Sequence, residues 1–240
     1  MKPSAPYLIL LALIFAPMAS AAGEKITPVF TSESEALTKL RPLAQFSKDQ
    51  FESSADFVKR VCPAVEKALN AKSGTQVHFA VLFGTGVDGN YDPDKKAFIF
   101  DVWGDSNYEK TYSEVTVVYF SKDKGAYTGQ NAFGVTKAIE VKEVDEVILR
   151  LPIHQRGINA ISTKLLSKPE EARKLEKDLQ VIISTKILPP CFIDERSNVS
   201  PKIDSPYEIK VHKLKLVGSR NSSWKIIKKS TGEILKTGDF

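Results

Sequence analysis

The 240-residue chain is short of cysteine, histidine and long apolar runs, and each shortage narrows what it is. Two cysteines are too few for a four-cysteine zinc or iron–sulfur site, and too few to frame a cysteine-rich mini-protein. The three histidines, His78, His154 and His212, never take the i, i+4 spacing of a helical zinc pair. A serine nucleophile elbow and a phosphate loop are missing, and Gly84, Gly86 and Gly89 do not have the spacing of a dinucleotide turn. No cofactor is therefore expected. Glycine and proline are ordinary at 13 each, with 42% apolar and 26% charged residues. Those values exclude a disordered chain, a collagen-like repeat and a membrane bundle.

The longest apolar stretch is residues 7–18, which is 12 residues against the roughly 20 that cross a bilayer. It follows Met1-Lys2 and precedes Ala19-Ser20-Ala21-Ala22, the order of a cationic start, an apolar segment and a small-residue exit. Residues 1–21 are thus expected to be a cleaved signal peptide, leaving residues 22–240 in a periplasm or secreted, with no transmembrane anchor. Export changes the meaning of Cys62 and Cys191. In an oxidising compartment such a pair is expected to close a disulfide, and two buried thiols are the alternative.

Helical signals come first along the mature chain. Ser32-Glu33-Ser34-Glu35 is a capping box ahead of Ala36, Leu37 and Leu40. A second start is expected at Ser47, with Phe51, Ala55, Val58, Cys62, Val65 and Leu69 on one stripe and Pro63 kinking or splitting the helix. From Gln76 the period becomes two. Strands are expected over 76–83, 97–103, 113–120, 135–142, 146–151, 181–188 and 207–217, with a hairpin over 223–235. The segments 84–86, 92–94 and 121–131 carry turn residues. A helix over 169–179, capped by Ser167, interrupts the strands. Apolar parity changes between Val211 and Leu214, which predicts a bulge near His212 and Lys213. The fold class is α+β: an antiparallel sheet packed against N-terminal helices and one inserted helix. We expect a single domain over 22–240. Its polar stretch 194–206 is a surface loop or, failing that, a boundary.

The candidate sites are few. Asp88, Asn90, Asp92 and Asp94 alternate as calcium ligands do, but Pro93 and Ile99 stand where an EF-hand needs Gly and Glu, so the stretch reads first as a hairpin turn. His78, Asp101 and His154 are the dispersed groups that a hydrolase-like site would have to gather. Charge is uneven: residues 22–120 carry −3 and residues 121–240 carry +7. Lys210, Lys213, Lys215, Arg220, Lys225, Lys228 and Lys229 are the candidate surface for an anionic partner. Residues 124–133, with Tyr127, Gln130 and Asn131, form a candidate contact loop of amphipathic groups. The reading is an exported, soluble binding or envelope-interaction protein. Its partner is a protein, a polysaccharide or an anionic lipid surface, and not a nucleic acid. An enzyme, or a structural or calcium-stabilised secreted domain, are the alternatives.

Overall fold

A computed structural model describes residues 26–46, 48–72, 74–81, 87–103, 112–130, 133–152 and 159–240. The expected signal peptide, Asn131 and His154 lie outside them. The fold is α+β, as the pattern implied.

Helix α1, Glu33–Leu40, starts where the capping box places it. Ser32 Oγ accepts from the Glu35 amide at 3.2 Å. The return half of the box is shifted by one residue, because the Glu35 carboxylate takes the Thr31 amide at 2.8 Å instead. Bonds from Lys39 and Thr31 hold that carboxyl at about 2. A 3-10 turn, Arg41–Gln45, follows. Helix α2 is Ser54–Leu69, capped by Ser53 rather than Ser47, and it runs unbroken through Pro63. Its buried side is Val61, Val65 and Leu69. Phe51 precedes the helix and is 87% exposed, because Asp49 folds residues 49–52 into a turn that Ser53 then ends.

The strands are β1 (Gln76–Val81), β2 (Val87–Asp92), β3 (Ala97–Trp103), β4 (Tyr112–Gln130), β5 (Thr136–Pro152) and β6 (Asn159–Leu166). Helix α3, Pro169–Leu175, comes next, followed by β7 (Leu179–Val199), β8 (Tyr207–Gly218), β9 (Ser223–Lys228) and β10 (Ile234–Asp239). Lys168, not Ser167, is the N-cap of α3. Seven strands form one sheet in the order β10-β9-β7-β8-β5-β4, with β1 also paired to β7; β2-β3-β6 form a second sheet. Among the described residues every pairing but one is antiparallel. The exception is β5 with β8, parallel from Glu140 opposite Tyr207 to Arg150 opposite Val217.

Three expected breaks are bridged. Residues 121–130 belong to β4, 143–145 join two expected strands into β5, and 194–199 continue β7 against β8. The bulge at His212 and Lys213 is absent, since β8 keeps one register with β5 throughout. Leu214 and Leu216 point into the core while Val211 and Ile209 lie half-exposed on the opposite face. The change in parity marks where the strand leaves the core. In β7, Val181 and Ile183 join the main core while Ile182 packs with Ile26 and Ile227 on the other face. Covering both faces explains its unbroken apolar run.

The main core gathers Leu40, Val65, Phe79, Phe100, Leu149 and Leu216, so helices and both sheets share one apolar cluster. Each such side chain contributes about 1.5–3 kcal/mol on burial. Cys62 and Cys191 are disulfide-bonded, Cα to Cα 5.5 Å, which ties α2 to the middle of β7.

Candidate functional site

β4 and β5 pair along their whole length, from Tyr112 opposite Pro152 to Gln130 opposite Thr136. Their first half lies in the core through Val115, Val117, Val147 and Leu149. Beyond Tyr119 the β4 side chains are exposed almost without interruption. β5 stays paired with β8 as far as Glu140, so residues 127–130 with 136–139 run on past the sheet as a short two-stranded arm. Such a ribbon has little stability of its own and depends on contacts at its faces. The register shifts between Asp123 and Ala126, where Gly125 takes a φ of +93° that only glycine adopts readily. The bulge and the charges of Lys122, Asp123 and Lys124 blunt the outer edge of β4 against strand addition.

One face of the arm is apolar. Tyr127 stands opposite Ile139, and the next position, Gly129, is bare. A Cβ there would lie 2.2 Å from Ile139 Cδ1, so the missing side chain is what lets Ile139 lie across the ribbon beside the Tyr127 ring. The 200–206 loop closes over this face. Lys137 Nζ donates to the Ile203 carbonyl at 2.5 Å, and Tyr127 Oη donates to Glu208 Oε2 at 3.0 Å. The bond to Glu208 pushes the Tyr127 phenol above its usual range. Between arm and loop lies a groove of about 410 Å³ whose apolar lining is Tyr127, Val135, Ile139, Pro201, Ile203 and Pro206, with Lys137 and Lys202 also on its walls. Phe133 at the tip is 90% exposed and Ile203 on the groove wall 59%. Gln130 Nε2 closes the tip on the Gly134 carbonyl at 3.3 Å.

Of the contact residues expected at 124–133, Tyr127 and Gln130 are on strand β4 and not in a loop, and Asn131 lies outside the described residues. Tyr127 lines its groove and Gln130 braces its end. Val135, Pro201, Ile203 and Pro206 completed the site without any signal of function. Val135 read as an ordinary strand residue, and 200–206 is 61 residues or more beyond Ile139.

The basic residues do not form one face. Lys210 lies opposite Asn198 and Lys225 opposite Ile182, sixteen residues apart along β7. Lys210, Lys213 and Lys228 have acidic neighbours in Glu208, Glu146 and Glu233 at 3.6, 3.8 and 2.5 Å. Lys225 is half-buried, while Arg220 and Lys229 are exposed. Lys215 is not on a surface at all, with its side chain 3% exposed. Its Nζ meets both Glu114 oxygens at 3.0 Å and Glu195 Oε2 at 2.6 Å, while Arg150 holds Glu114 from the other side at 2.5 Å. Burial works against both charges, but the mutual bonds win: the Glu114 carboxyl is held below its usual range and the Lys215 ammonium above.

Asp88, Asn90 and Asp92 of the acidic stretch lie in β2, and residues 93–96 make the turn into β3. Asp92 Oδ1 accepts the amides of Asp94 and Lys95 at 3.0 Å each, and Oδ2 takes Lys95 Nζ at 2.6 Å. Lys95 and these amides hold the Asp92 carboxyl below its usual range. Asn90 and Asp94 are exposed, and the side chain of Asp88 lies outside the described residues. Among the described residues no three His, Cys, Asp or Glu side chains are grouped to hold a metal ion. His78 and Asp101 stand on different sheets, with His78 Nδ1 2.7 Å from Ser184 Oγ. No helix among the described residues is long and apolar enough to cross a membrane. No protein-family model and no curated protein matches the chain.

Proposed function

We propose that this is an exported binding protein that engages a protein partner through the end of the β4–β5 arm. The observation that carries the reading is the concentration of exposed apolar side chains, Tyr127, Val135 and Ile203, around one groove at the end of the β4–β5 hairpin, with exposed Phe133 at the tip beside it. Monomers rarely leave such groups together on a surface without a use for them. The charged residues on the groove walls are Lys137, which donates to the Ile203 carbonyl, and Lys202; nearby, Lys124 pairs with Glu143 at 2.7 Å. The apolar walls suit an apolar side chain of a partner, and the two lysines suit an acidic group beside it.

The test is photo-crosslinking from residue 133 in an envelope extract, run for the wild type and for Ile203→Ser. One discrete adduct, lost in the variant while its melting temperature stays within about 2 °C, is the expected result. Adducts that are absent, or equally strong in the variant, would remove the arm as the contact surface. N-terminal sequencing of exported material tests the compartment, with a start at residue 22 or 23 expected.

A further inference from the structure

A second open cavity, of about 400 Å³, lies where β5, β7 and β8 meet the 3-10 turn Arg41–Gln45. His212 sits in it with both ring nitrogens facing carboxylates. Nε2 is 2.5 Å from Asp194 Oδ1, and Nδ1 is 3.3 Å from Asp145 Oδ1. Each aspartate is also bound to an arginine. Arg41 Nη2 pairs with Asp145 Oδ2, and Arg196 Nε donates to Asp194 Oδ2 at 3.2 Å. Arg196 Nη2 then reaches the Ala44 carbonyl at 3.4 Å. Arg41 and Ala44 both belong to the 3-10 turn, so the contacts run from the centre of the sheet out to the N-terminal helical layer.

A histidine engaged at both nitrogens is poorly placed to take a proton from a substrate. Its chemistry is that of a bridge. The protonated ring donates from both nitrogens, whereas the neutral ring donates from one and turns a lone pair toward the other partner. Here that partner is a carboxylate oxygen, which a lone pair repels. The charged groups facing the ring are Asp145 and Glu143 from β5, Asp194 and Arg196 from β7, Arg41 from the turn, and Lys210 on β8 itself. Lys210 and Glu143 pair elsewhere, with Glu208 and Lys124, so neither replaces a lost bond to the ring.

We propose that His212 is a proton-operated clasp. With both nitrogens protonated it bridges Asp145 and Asp194, and through them and their arginines it fastens the 3-10 turn to the sheet. When the ring loses a proton it releases one aspartate, and the turn loosens. The closed clasp holds a proton that the open one does not need, so closing becomes less favourable as pH rises.

Amide hydrogen exchange on the full chain tests this at Phe46, whose amide donates to Leu43 within the turn at 3.0 Å. After correction for the intrinsic rate, protection at Phe46 should be about tenfold greater at about pH 5.5 than at about pH 7.5, the loss of one charge-assisted bond. In His212→Gln that difference should vanish. Equal protection at both pH values in the wild type, or an unchanged pH dependence in the variant, would overturn the proposal. Should the variant fail to fold, ring ¹⁵N shifts of wild-type His212 decide the matter. They must show both nitrogens protonated at the acid end and must change over the same pH interval as Phe46 exchange. A ring that keeps one bare nitrogen at the acid end, or titrates without any response at Phe46, refutes it.

Discussion

Lys215 and Lys229 are the same residue type fourteen positions apart, and they live in different solvents. Lys229 is exposed near the end of a hairpin, whereas Lys215 reaches across the sheet to Glu114 and Glu195 from a nearly closed position. A buried pair adds little net stability, but removing one partner strands the other charge. Lys215→Met should therefore destabilise the fold by about 3 kcal/mol in denaturant titration. Lys229→Ser should stay within about 0.5 kcal/mol. If the two variants melt alike, the Glu114–Lys215–Glu195 contacts do not hold the sheet. Nothing in the sequence separates these lysines, because strand parity shows which face a residue takes but not whether acids wait there from β4 and β7.

At the scale of elements, the disulfide joins a helix to a strand across a sequence separation of 129. Closing so long a loop in the unfolded chain is worth about 4–5 kcal/mol by chain entropy. A double Cys62→Ser, Cys191→Ser variant should lose stability of that order in equilibrium unfolding, and a loss under about 1 kcal/mol would mean that α2 docks on β7 unaided. The pairing was legible because the helical stripe carries Cys62 on its inner side and export favours oxidation. Ser32 and Glu35 likewise marked the first helix, and Phe98, Phe100 and Val102 marked β3. The arm was legible only in part. Gly125, Gly129 and the charges at 122–124 are turn formers in isolation, yet a bulge and a cross-strand Ile139 make use of both glycines inside a strand. β6 was missed because its alternation, Ile161, Thr163 and Leu165 across Ser162 and Lys164, is short and Leu166 breaks it. The groove was beyond reach, since its second wall comes from 200–206, a polar stretch with nothing to tie it to residue 127.

For the whole molecule, β7 is the common member. Its first half pairs with β1 on one edge and β9 on the other, and its second half pairs with β8, which leads on to β5 and β4. A chain ending at residue 178 should therefore lose more than the strands it lacks, since β1 has no partner and β5 is left with β4 alone. Circular dichroism on heating should show no cooperative transition for it, and a sharp melt would mean that residues 26–178 hold a core of their own. The position of β7 also has a consequence in time. A ribosome delivers β1, β4 and β5 well before Leu179 exists, so Phe79, Val115 and Leu149 wait uncovered while the rest of the polypeptide is made. The β2-β3-β6 pairings involve nothing later than Leu166, but Phe98, Phe100 and Val102 of β3 share the main core and wait for β7 as well. Cys62 meanwhile stays a lone thiol, open to mixed disulfides with whatever oxidant it meets, until Cys191 arrives to claim it.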